Sequence, residues 1–185
     1  MEPLPLPFDF PLRRKVDVWA DNIFELLDRA GKEAWSQEAV TRTKPIALQS
    51  EMEVALCQLL TFFLEHKYLS LYSTSKFIPT ISPYFGEIAM LLTHHAQDEA
   101  KHISVLSKRI EIGAGYQKIS AATQYALKSI LDMMDFSKSV FLHELLGQST
   151  IVDIMRALGP VVNDDFTKQM FSKICSDEER HIAYG

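Results

Sequence analysis

Apolar residues along this chain recur at helical spacing, and very little of it alternates. Glycine is scarce, at 7 residues, and β-branched alternation is weak, so the periodicity predicts an all-α fold. A Pro-rich arm, 1–12, cannot be regular helix. A first helix is predicted over about 13–35, where Val18, Ile23, Leu26 and Leu27 recur on one side. A second spans about 46–72. The third opens on Ser82 as N-cap with Pro83 at the first helical position and ends near Gly113, expected to take the left-handed C-cap conformation. Residues 114–119 read as a crossover. Ser120 caps a long fourth helix that stops at Leu158, before Gly159-Pro160. Asn163 is the expected cap of a fifth helix, with Asp164 and Asp165 near its positive end. Beyond the arm, 13–185 is expected to be a single domain, its bundle helices starting at about 46 and its first helix an appended cover.

The polar positions carry an internal repeat. Asp98-Glu99-Ala100-Lys101-His102-Ile103 and Asp177-Glu178-Glu179-Arg180-His181-Ile182 both read D-E-x-x-H-I, offset by 79 residues. The same offset carries Glu65 onto Glu144, and each of these precedes its Glu-x-x-His by 34 residues. Glu and His three apart lie on one helical face. Two such pairs and two single glutamates are the set with which a helical bundle holds two metal ions. Glu53 competes with Glu65 on helix geometry; the internal symmetry selects Glu65.

Glu65 and Glu144 stand in apolar surroundings, Phe62-Phe63-Leu64 and Val140-Phe141-Leu142. Ionised carboxylates there are costly unless compensated. Four inward glutamates against two divalent cations balance, with no Lys or Arg required in the core. Carboxylate-rich sites with one imidazole per ion suit iron or manganese better than structural zinc. Asp98 and Asp177 are placed to accept the ring N–H of the histidine on the partner helix, Asp98 from His181 and Asp177 from His102. Tyr68, one turn past Glu65, is a candidate to bond a ligand carboxylate. Gly147, one turn past Glu144 and beside Gln148, removes bulk, either where oxygen or substrate would approach or for close helix packing. His66 and His143 adjoin ligand glutamates and are expected to point elsewhere.

Composition narrows the classes. The chain has 185 residues, 47% hydrophobic and 23% charged, with net charge −5, ordinary for one globular domain. No basic tract suggests nucleic acid, and no run of 18 apolar residues suggests a membrane span. The two cysteines, Cys57 and Cys175, form no C-x-x-C pair. The arm is a poor signal peptide, and a cytoplasmic location is expected.

The constellation resembles the ferritin-like, non-heme di-iron carboxylate superfamily over about 46–185. The resemblance implies a ferritin-like four-helix bundle with an extra N-terminal helix. It also implies Glu65, Glu99, His102, Glu144, Glu178 and His181 as ligands to two iron ions (manganese or a mixed Mn/Fe pair being the variants), with Glu99 and Glu178 bridging. Leu106 stands where ribonucleotide reductase small subunits usually carry a radical tyrosine. The cysteine-ligated iron domain of rubrerythrins is absent, and Gln148 stands where multicomponent hydroxylases often have threonine. His95, one turn before Glu99, is similar to the additional histidine ligand of some di-iron N-oxygenases. The implied activity is that of an O2-activating oxidoreductase (oxygenase, hydroxylase or desaturase) on a small organic substrate, with an external electron donor; a homodimer is the default assembly. The alternatives are ferritin- or rubrerythrin-like iron handling, and a metal-free helical module with vestigial glutamates.

Overall fold

The computed structural model describes residues 12–42 and 50–185. The arm over 1–11 and the expected start of the second helix near 46 lie outside the described residues. Within them the fold is all-helical, with no strand. The helices are α1 (Ile23–Lys32), α2 (Gln37–Thr41), α3 (Ser50–Phe77), α4 (Glu87–Glu111), α5 (Ala121–Leu131), α6 (Phe136–Val140), a π-helical stretch (Phe141–Gln148), α7 (Ser149–Leu158) and α8 (Asp165–Tyr184).

Several stops and starts follow from local chemistry. Ser82 accepts from Tyr84 N–H, Ser120 from Thr123 N–H and Asp164 from Phe166 N–H, each satisfying an amide that the first turn leaves free. The fifth-helix cap is thus Asp164, one residue past the expected Asn163. Gly113 does not adopt the left-handed conformation; Gly115 does, at φ 78°. Gly113 serves a different need, since a Cβ there would lie 2.2 Å from Glu53 Oε1. The first helix is shorter than expected: a 3-10 turn (Lys15–Asp17) precedes α1.

The expected continuous fourth helix is broken between Leu131 and Phe136. Asp135 accepts from Lys138 N–H and so starts a new helix. Lys76 donates to the carbonyls of Leu131 and Met133 that the break exposes.

Two apolar clusters fix the arrangement. One gathers Leu56, Leu60, Phe63 and Leu64 of α3, Val105, Leu106 and Ile110 of α4, Ile151, Val152 and Met155 of α7, and Phe166 to Cys175 of α8. The other gathers Phe77, Ile88, Leu91, Leu92, Phe136 and Tyr184, closed by Val18, Ile23 and Leu26 of the N-terminal segment. Along α3 and α8 the chain passes from the first cluster to the second. Along α4 and along the α6–π–α7 run it passes from the second to the first. The two directions are therefore opposed, and the crossover containing α5 joins the two elements that run the same way. Between the clusters, every one of these four runs turns polar while staying buried: Lys67, Ser70 and Ser73 on α3; His95, Asp98, Glu99 and His102 on α4; His143, Glu144 and Gln148 on the π-helical stretch; Asp177, Glu178, Arg180 and His181 on α8.

A second buried ionic knot ties the far end. Arg109 donates to both Glu53 oxygens, at 2.6 and 3.1 Å, and to Asp164 and Thr167 at 2.9 Å each. This contact engages Glu53, the residue that competed with Glu65. Truncating Arg109 would strand the fully buried Asp164 carboxylate. Arg109→Ala is expected to cost about 3–5 kcal/mol, read as a lower urea midpoint, while Arg14→Ala, whose pair with Asp17 is at the surface, should leave the midpoint unchanged.

Candidate metal centre

Five of the six expected ligands meet in the polar layer. Glu99, His102 and Glu178 form one group of buried ligand atoms within 4.8 Å of one another, and Glu144, Glu178 and His181 form another, sharing Glu178. Both histidines turn the same nitrogen inward. His102 Nδ1 lies 3.1 Å from Glu178 Oε1 and 3.3 Å from Glu99 Oε2; His181 Nδ1 lies 3.3 Å from Glu178 Oε2 and 3.5 Å from Glu99 Oε1. The outward nitrogens are held by aspartates in crossed pairs, His102 Nε2 to Asp177 at 2.9 Å and His181 Nε2 to Asp98 at 3.3 Å. That crossing leaves Nδ1 as the free donor atom of each ring.

Glu65 is the exception. It is half-buried and joins neither group. The residue of α3 that enters the centre is Lys67, two positions on and therefore about 200° round the helix. Lys67 is 0% exposed. Its ammonium donates to Glu178 Oε1 and, at 2.8 Å, to Gln148 Oε1, and it sits 3.6 Å from Glu99. The expected charge balance required no Lys or Arg in the core, yet Lys67 is buried there. The reason lies in the helices: Glu65 stands on regular α-helix, whereas its counterpart Glu144 stands in the π-helical stretch. A π turn closes i to i+5 and shifts every following side chain round the axis, so equal spacing in sequence does not give equal facing.

The other candidates divide. Gln148 is fully buried and donates to Glu99 and Ser70, both at 2.9 Å, so it braces the centre. Gly147 makes room for His66: a Cβ there would lie 2.6 Å from His66 Nε2. Open space for oxygen or substrate is not its role in this packing. Tyr68 is exposed and stacks on Tyr72, away from any ligand carboxylate. His95 is buried with its ring 4.0 Å from that of His181, but it joins neither ligand group, and its Nε2 has no hydrogen-bond partner among the described residues. His66 and His143 do not point away: they stack at 5.1 Å inside the bundle, and His143 faces Glu144 at 3.1 Å and Ser70 at 2.6 Å. A narrow cavity reaches Glu144 past His95, Leu92, Phe136, Ser139 and Tyr184; Gly147 and Gln148 do not line it.

Other contributors escaped the sequence reading. Arg180 donates to Asp98 and Asp177, at 2.8 Å each, and to Glu33 at 2.9 Å. Lys101 lies 2.7 Å from Asp98 and 4.0 Å from Asp177. Lys101 and Arg180 occupy the same place in the two hexads, which was the available signal. Trp35 donates its indole N–H to Asp177 at 2.7 Å and stacks on His102. The segment taken for a mere cover therefore reaches the centre itself.

Electrostatics without a cation follow from this packing. Burial alone would push the His102 imidazole down; its bonds to Asp177, Glu178 and Glu99 overcome that and hold it at about 10. His181 is likewise raised well above its ordinary value against burial, chiefly by Glu178 and Asp98. Burial and the neighbouring Glu178 would push Glu99 up, yet Lys67, His102 and His181 bring it down to about 2. The carboxylate atoms left over are informative: Glu144 Oε2 and Glu178 Oε2 are buried with no hydrogen-bond partner among the described residues. Two orphaned anionic oxygens beside an inward imidazole nitrogen fit a divalent cation.

The raised His102 stabilises the cation-free fold fully below its unfolded value of 6.5, and that stabilisation is lost as pH rises through about 10; His181, raised in the same direction, adds to it. The depressed Glu99 contributes above its unfolded value of 4.5 and is lost as pH falls through about 2. Urea midpoints of metal-depleted protein should therefore fall on both sides of a plateau between those unfolded values, and a flat profile across the alkaline range would contradict the imidazolium assignment.

No protein-family model, no curated protein and no solved structure matches this chain, so the reading of its buried Glu–His cluster as a place that can hold a metal ion rests on geometry alone.

Proposed function

We propose that this chain is a ferritin-like metalloprotein and an O2-activating non-heme iron oxidoreductase acting on a small organic substrate, with manganese as the alternative metal. The observation that carries the reading is the pair of buried Glu–His groups joined through Glu178, each histidine backed by the aspartate of the opposite hexad. The helix directions support it too: two elements run one way and two the other, with one long crossover, the connectivity expected of ferritin-like folds. Glu144, Glu178 and His181 would hold a cation at the more open face; Glu99, His102 and Glu178 form the counterpart group at the face that Lys67 occupies. A redox-active cation there would supply the activation of dioxygen, and an external donor the electrons.

The protein's own part is positional. Asp98 and Asp177 fix the ring orientation of His181 and His102; Arg180 and Lys101 fix the aspartates; Gln148 orients Glu99. The apolar clusters on either side keep water from the layer.

Iron handling (ferroxidase, storage or peroxide removal) is the second reading. It uses the same ligands and is favoured by the narrowness of the cavity at Glu144, which suits dioxygen, peroxide or water better than an organic molecule. Assembly and iron content separate the two: a storage cage elutes as a large multimer with many irons per chain.

Metal analysis of purified protein tests the core of the proposal. Glu144→Ala and His181→Ala should abolish iron or manganese loading, and Glu51→Ala, on the exposed face of α3, should leave it intact. Full loading of Glu144→Ala would refute the ligand assignment. Loading should also raise the melting temperature of the parent chain, because the ion binds the native state alone.

A further inference from the structure

The two ligand groups are not equivalent, and the difference is Lys67. Its ammonium lies between Glu99 and Glu178, the two carboxylates of the group that includes His102. It engages Glu178 Oε1, the oxygen that also faces His102 Nδ1 at 3.1 Å. On the other side Glu144 Oε2 and Glu178 Oε2 make no hydrogen bond among the described residues, the latter facing His181 Nδ1 at 3.3 Å, and no Lys or Arg reaches either oxygen in the ion pairs found there. One half of the centre thus already contains a positive charge at hydrogen-bonding range, and the other half contains the two orphaned oxygens.

Charge points the same way. Asp98 and Asp177 are matched by Arg180 and Lys101. Glu99, Glu144 and Glu178 remain, three negative charges against the single positive charge of Lys67. With the imidazoles neutral, as ligation by nitrogen demands, two negative charges are left over. One divalent cation neutralises them; two would leave the layer with a surplus of two positive charges in an interior that tolerates none unpaired.

Resting on the metal-centre reading above, we infer that Lys67 is a built-in monovalent cation standing where a second metal ion would sit. The chain then takes one divalent ion, at Glu144, Glu178 and His181. Lys67 is also pinned from a third side by Gln148, whose amide nitrogen is itself committed to Glu99 and Ser70. The pair forms a polar plug held by α3 and the π-helical stretch.

The test counts ions and requires no turnover. Chelator-stripped full-length chain is titrated with Mn(II), followed by calorimetry, elemental analysis and electron paramagnetic resonance. The parent chain is expected to take one ion per chain with the spectrum of an isolated Mn(II). Lys67→Met should take two, with the broadened spectrum of an interacting pair, and Lys67→Arg, which keeps the charge, should stay at one. His102→Gln in the parent background should also stay at one, because His102 belongs only to the half that Lys67 fills; this variant decides the matter if Lys67→Met does not fold. Two ions in the parent chain, one in folded Lys67→Met, or loss of the ion in His102→Gln would each overturn the inference. Zero ions in every variant would instead sink the metal-centre reading on which it rests.

Discussion

A slab of buried charge between two apolar clusters governs this molecule. Each of the four long helical runs carries its polar segment at the height where the others carry theirs, so no run can slide without pulling a carboxylate or a cation into hydrocarbon. Hydrophobic matching alone would tolerate such slippage, since clusters of Leu, Ile and Phe are similar in size and shape. The polar layer supplies register at a cost in desolvation. The broken helix over 121–158 and the π-helical stretch fit this view: the run departs from regular geometry where His143, Glu144 and Gln148 must reach the layer.

The internal repeat is kept where α4 meets α8 and abandoned where α3 faces the π-helical stretch. Asp98, Glu99, Lys101 and His102 are answered by Asp177, Glu178, Arg180 and His181, and even the crossing of aspartate to opposite histidine is reciprocal. Across the other pair, Lys67 and Glu144 are what reach the centre, so a near-twofold arrangement of ligands carries a cation on one flank and an anion on the other.

Much of this was legible in the residues. Period gave the helical class, and the repeated hexad gave the α4 and α8 contributions together with their crossed partners, because three-residue spacing on a helix leaves little freedom. Lys101 and Arg180, the basic fourth member of each hexad, repeat with the rest, but the repeat alone assigned them no role. What was hidden depends on rotation about a helix axis. Whether Glu65 or Lys67 faces inward is decided by packing of the whole of α3, which is apolar on much of its circumference near Phe62, Phe63 and Leu64. A π turn has no compositional mark, so nothing in Phe141–Gln148 announced that the offset of 79 residues would stop predicting direction. Trp35 and Glu33 were out of reach for another reason: they sit outside the repeat and meet the centre only through tertiary folding.

That last pair of contacts has a bearing on synthesis. Tyr184 bonds Val18, Asn22 bonds Ala183, Glu33 bonds Arg180 and Trp35 bonds Asp177, separations of 166, 161, 147 and 142 residues. The apolar face of α1 therefore waits on the ribosome with Ile23 and Leu26 lacking part of their native packing until α8 has emerged. Contacts this distant in sequence slow folding and lengthen the interval in which sticky surface is bare. The N-terminal segment of this fold completes its packing only once α8 is in place beside it.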